Sequence, residues 1–183
     1  MAVGTSSQRE SQHGCQGSDS HHIGRAFQDR AVPEPVIREI LEAGRLTASS
    51  MNKQPCHFVV VQDRAKLEQL AAAAKTGPYI ADAPLTIVIV VDHTTWALSG
   101  ASRAVQDMVL TAWSAGVGSN WVGFIGKLDT VNDLLGISAD LDVVTVIPFG
   151  DPVDSIGKGK KNRKPLAELV HWGSWGTTSA PAE

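Results

Sequence analysis

Apolar positions along the chain switch repeatedly between helical and strand spacing. After Pro33 and Glu34, where a helix start tolerates proline and favours acid, Val36, Ile37, Ile40, Leu41 and Gly44 recur at helical intervals, predicting a helix from Pro33 to Leu46. His57 to Gln62 lacks polar alternation and predicts a strand buried on both faces. Lys66 to Lys75, rich in Leu and Ala, predicts a second helix ended by Gly77-Pro78. Leu85 to Val91 is the most apolar strand pattern and belongs at the centre of a sheet with helices packed on it. Trp96 to Ala115 is the longest helical stretch, with Ala101, Ala104, Val105, Met108, Val109, Ala112 and Trp113 placing apolar or small residues round most of its circumference. A helix of that kind must be buried nearly all round, which one small domain rarely manages, so a subunit interface is expected over part of it. Leu128 to Leu135 predicts a short amphipathic helix, and Val143 to Gly150 a core strand running into Asp151-Pro152. The mixture is that of an α+β protein.

Composition narrows the picture. At 183 residues the chain has room for one domain of ordinary size, and 43% hydrophobic with 19% charged residues is a globular composition. Met1 to Ser20 carries no apolar periodicity, so residues 1–20 are expected to form a polar flexible tail and 21–183 a single domain. A formal charge of -3 argues against nucleic acid as a partner. The apolar run from Leu85 to Val91 is far short of the roughly 20 residues a membrane helix needs. No apolar block occupies the first twenty residues, and the two cysteines, Cys15 and Cys56, imply no disulfide framework; a cytoplasmic location is expected. His13, Cys15, His21 and His22 match no zinc spacing, so no metal is expected.

Polar residues concentrate in the connections. Between the first predicted helix and strand, Thr47 to Phe58 gathers Ser49, Ser50, Asn52 and Gln54, each able to donate or accept hydrogen bonds, ahead of Pro55. Such a loop suits a polar, planar ligand with many acceptors, although its hydroxyls could also serve its own backbone. Gly116-Val117-Gly118-Ser119-Asn120-Trp121-Val122-Gly123-Phe124 follows the longest helix, and its glycines permit close backbone approach to a ligand as well as an ordinary helix end. Lys158 to Lys164 concentrates cations before Pro165-Leu166.

The Thr47–Phe58 stretch resembles the Pro-Ser-Ser-x-Asn-x-Gln-Pro-Trp-x-Phe signature of the nitroreductase-like FMN-dependent oxidoreductases, with Ala48 in place of the proline and Cys56 in place of the aromatic. His21-His22-Ile23-Gly24-Arg25-Ala26-Phe27 is similar to the family's Arg-Arg-Ser-x-Arg-x-Phe entry motif, with histidines where the first two cations stand. Gly100-Ala101 through Gln106-Asp107-Met108 resembles the central-helix run, and Lys161-x-Arg163-x-Pro-Leu the phosphate clamp. The resemblance implies a three-layer αβα fold with a mixed central sheet in a domain-entwined homodimer that shares its active sites. It implies FMN as cofactor and NADH or NADPH as reductant. Arg25, Lys161 and Arg163, with His21 and His22, would hold the phosphate; Ser49, Ser50, Asn52 and Gln54 would reach the flavin of the other subunit; Val122 and Gly123 would lie at the ring edge.

The function so implied is hydride transfer from a nicotinamide through flavin N5 to a small-molecule acceptor such as a nitroaromatic or quinone, in a ping-pong scheme with no obligatory catalytic side chain. The chain has no Gly-x-Gly-x-x-Gly after a first strand, no Walker loop and no nucleophile elbow. Two alternatives stay open: a redox-inactive module of the same fold that binds FMN or a deazaflavin, and a flavin-consuming or dehalogenating relative.

Overall fold

A computed structural model describes residues 25–74, 76–123, 129–153 and 163–180. The expected tail at 1–20, together with His21, His22 and Lys161, lies outside the described residues. The elements run α1 (Glu34–Leu46), β1 (Cys56–Val61), α2 (Arg64–Ala73), β2 (Leu85–Asp92), α3 (Ala97–Ser114), β3 (Gly118–Ser119), α4 (Asp129–Leu135) and β4 (Leu141–Gly150), with short 3-10 turns at Ser50–Asn52, Pro78–Ile80 and Leu166–Glu168. Helix α2 starts two residues before Lys66 because Asp63 caps it, its carboxylate accepting from the Lys66 N–H at 3.0 Å.

The strands order β1-β2-β4-β3, and every pairing is antiparallel. Among the described residues of the one chain, the expected mixed sheet is represented by its antiparallel pairs alone, each strand entering from the end opposite to its neighbour. Strand β2 is central, and all of it except Asp92 is buried. Strand β1 departs from expectation. It forms one edge of the described sheet, with His57 and Val60 exposed, because it has a strand partner on one side only.

Two apolar clusters flank the sheet, giving the three layers. On one face Ile37 and Ile40 of α1 and Ala101, Val105 and Met108 of α3 pack against Ile87, Ile89, Ile147 and Phe149. On the other, Leu67 and Leu70 of α2 and Val131 of α4 pack against Val88, Val90, Val143 and Val146. Each such side chain contributes about 1.5–3 kcal/mol when fully buried, so the sheet is the principal source of cohesion. Helix α3 approaches α1 closely through small residues; a Cβ on Gly44 would lie 2.8 Å from the Met108 sulfur. Burial of α3 within one chain is one-sided, however. Leu98 is 64% exposed and Trp96, just before the helix, 57%. Among the described residues no helix is long and apolar enough to cross a membrane.

Candidate functional site

The loop that follows α1 is held in an unusual conformation. Met51, Asn52 and Gln54 have φ of 52°, 53° and 49°, the left-handed region that a non-glycine residue enters at a cost on the order of 1 kcal/mol or more. Three bonds sustain it: the Gln54 N–H donates to the Ser49 hydroxyl at 2.8 Å, the Asn52 N–H to the Ser49 carbonyl at 3.0 Å, and the Gln54 side-chain amide to the Asn52 carbonyl at 3.3 Å. Ser49 and Gln54 therefore serve the loop itself. Ser50 and Asn52 are exposed, and their side chains have no partner among the described residues. The loop enters β1 at Pro55, whose carbonyl accepts from the Asp92 N–H at 3.0 Å. Beside it lies a cleft of about 280 Å³ lined by Gly44, Thr47, Ser49, Gln54, Cys56 and Gly100, among others. Burial, and secondarily the charge of Asp92, pushes the Cys56 thiol above its ordinary pKa.

A second group of residues gathers where the chain leaves the end of β4. Phe27 bridges to Pro152, and the Val153 N–H donates to the Ala26 carbonyl at 3.4 Å, so the segment carrying Arg25 lies against the chain that leaves β4. The Arg25 guanidinium sits 5.9 Å from the centre of the Tyr79 ring, within cation–π range. The Tyr79 hydroxyl accepts from the side-chain amide of buried Asn120. Neither Tyr79 nor Asn120 stood out in the sequence; an amide beside two glycines was the available signal for Asn120. The described chain stops at Val153 and resumes at Arg163, which is exposed.

Val122 and Gly123 continue the β3 edge of the sheet. Val122 is buried, its N–H donates to the Val146 carbonyl at 3.2 Å, and its carbonyl accepts from the Thr145 hydroxyl at 3.0 Å. The backbone of Val122 is thus consumed in the sheet. Gly123 is exposed, its carbonyl accepts from the Thr76 hydroxyl at 2.5 Å, and its N–H has no partner among the described residues.

Val122 and Gly123 are thereby placed on one edge, Arg25 beyond the end of β4, and Ser49, Ser50, Asn52 and Gln54 at the other edge, where β1 begins. Three strand spacings, roughly 14 Å, separate the two edges before any displacement along the strands. Among the described residues, no three His, Cys, Asp or Glu side chains converge as a metal site.

The nitroreductase family model matches residues 20–93 and 74–151. A protein of Methanothermobacter thermautotrophicus, provisionally named NADH dehydrogenase/NAD(P)H nitroreductase, is 32% identical over 141 residues, covering 73% of this chain and 74% of its own. A like-named protein of Archaeoglobus fulgidus is 31% identical, covering 82% and 92%. Among solved structures, an FMN-dependent nitroreductase of Clostridium difficile superposes with a TM-score of 0.79 at 24% identity, covering 87% of this chain and 98% of that one, a likeness of fold. A nitroreductase-type protein of Desulfovibrio desulfuricans, crystallised with FMN, superposes with a TM-score of 0.74 at 31% identity, covering 85% and 93%. With the family model matching well over half of its length and a relative 31% identical over 82% of it, the chain belongs to the nitroreductase family.

Proposed function

We propose that the protein is an FMN-dependent NAD(P)H oxidoreductase that works as a homodimer, each cleft being completed by the Ser49–Gln54 loop of the partner. The observation that carries this reading is the separation of the Ser49–Gln54 loop, at the β1 edge, from Val122 and Gly123 on the β3 edge and from Arg25 past the end of β4. The loop and the other two groups face different sides of one chain, and the loop of a second copy would supply the missing half of each cleft. The exposed Trp96 and Leu98 on and beside α3 give that copy an apolar surface to cover.

The residues fit FMN on their own chemistry. Arg25 and Arg163 are cations that a phosphate would engage through charge-assisted bonds, with Lys161, His21 and His22 assigned to the same role by their motifs. Ser50 and Asn52 present side-chain donors from a loop whose left-handed geometry is sustained by internal bonds. Gly123 offers room for close approach, since a Cβ built there meets no atom of the described residues within 4 Å. When bound, FMN supplies the redox chemistry, taking hydride from NADH or NADPH and delivering electrons to an acceptor such as a nitroaromatic or quinone by ping-pong exchange. The side chains bind and orient; none is assigned as a general acid or base.

Titration of the purified protein with FMN, followed by its absorption spectrum and by sedimentation, tests this. Stoichiometric yellow dimers that oxidise NAD(P)H with a quinone acceptor are expected. A protein that stays colourless at saturating FMN overturns the reading.

A further inference from the structure

Val143 to Ile147 would be an unbroken apolar run but for Thr145, which is wholly buried. A valine would fill the same volume, so the hydroxyl is what distinguishes the residue, and a buried hydroxyl requires a partner. Thr145 lies beside a one-residue irregularity in pairing, where Ile89 faces Thr145 but Val90 faces Val143; such bulges re-aim side chains. The hydroxyl reaches the Val122 carbonyl at 3.0 Å. One residue later, the Thr76 hydroxyl holds the Gly123 carbonyl at 2.5 Å.

We infer that Thr145 and Thr76 are positioning residues that lock two successive carbonyls so that the Gly123 N–H faces outward as a donor to the ring edge of the flavin. This rests on the function proposed above and adds to it the side chains that aim the donor. The peptide between Val122 and Gly123 is trans, so its N–H points opposite to its carbonyl. With the Val122 carbonyl drawn toward β4, the Gly123 N–H points away from β4, where it meets no partner among the described residues. Thr76 restrains the following peptide from the other side. A donor fixed in this way favours the electron-rich reduced ring over the oxidised one, because its dipole needs no reorganisation as charge develops.

The test uses full-length Thr145→Val, Thr145→Ser and Thr76→Val, each measured for binding of oxidised and reduced FMN, for reduction potential, and for the Gly123 amide resonance without flavin. Thr145→Val is expected to bind oxidised FMN nearly as wild type does. Its preference for reduced FMN should fall about tenfold, a potential more negative by about 30 mV for a two-electron couple. Thr145→Ser should restore the wild-type potential, and Thr76→Val should shift the potential in the same direction. The Gly123 amide resonance should move in Thr145→Val and return in Thr145→Ser. If Thr145→Val does not fold, Thr76→Val at its exposed site decides the matter by the same readouts. FMN-loaded variants with wild-type potentials and an unmoved Gly123 amide overturn the inference alone. Wild-type protein that takes up no FMN overturns the functional reading, and the inference falls with it.

Discussion

The Thr47 hydroxyl donates to the Asp107 carboxylate at 2.6 Å, tying the approach to the polar loop to a helix sixty residues further along the chain. The same hydroxyl lies 3.0 Å from the Ala43 carbonyl, and with one proton it favours the charged acceptor. Asp107→Ala should cost only about 0.5–1 kcal/mol, since the hydroxyl can turn wholly to Ala43 and the pair is partly solvated. Asp107→Asn keeps an acceptor and should cost less. Thermal melting of the two variants distinguishes them; equal losses would show that the carboxylate does not hold Thr47.

Gly150 closes β4 beneath the segment that carries Arg25. A Cβ there would lie 2.7 Å from Pro84 Cδ and 2.9 Å from Phe27 Cδ1, and neither ring can swing clear cheaply. Gly150→Ala should therefore destabilise the protein by about 1–3 kcal/mol. It should also weaken FMN binding by displacing Phe27 and with it Arg25. A denaturant midpoint equal to wild type would contradict this packing.

Cys56 should be a slow thiol. Burial and then Asp92 raise its pKa above the ordinary 9.0, so the protonated form predominates at neutral pH. In a Cys15→Ser background, alkylation by iodoacetamide should accelerate only at a pH more alkaline than for free cysteine. The linked stability has the same sign: a group whose pKa is raised by folding contributes fully below its unfolded value, and loses that contribution as pH climbs through the folded one. Rapid labelling of the folded protein at pH 7 would count against the burial assigned to Cys56.

Arg163→Ala should lower FMN affinity by roughly ten- to a hundredfold, the effect of one charge-assisted bond of about 1.5–3 kcal/mol. The loss should shrink in high salt, which screens an exposed cation. Equilibrium dialysis at two salt concentrations measures it; unchanged affinity removes Arg163 from the site.

Shared clefts predict complementation. Arg25→Ala and Asn52→Ala homodimers should each turn over poorly, whereas mixed subunits should recover about a quarter of wild-type activity, because random pairing makes half the dimers mixed and each mixed dimer has one intact cleft. Mixtures no more active than their components would mean that both residues serve one chain's own cleft.

Most of the layered arrangement was legible in the chain. Strand β2 announces itself through Leu85 to Val91, since a segment apolar at every position but Thr86 belongs between two covered faces. Helix α1 is marked by its spacing and by Pro33, and the candidate loop by five polar side chains in the six residues Ser49 to Gln54. These are local signals, carried by residues close in sequence. Strand direction and edge position are not local: the antiparallel neighbours of β4 and the half-exposure of β1 depend on which distant segments pair, which no periodicity encodes. The same holds within the site. Residue type alone shows that Ser49 and Ser50 can bond, but the fold turns Ser49 inward to Gln54 and leaves Ser50 exposed. Val122 and Gly123 look alike as backbone donors until β4 takes the N–H of one and leaves that of the other without a partner among the described residues, because a hydrogen bond is decided by what lies across the sheet.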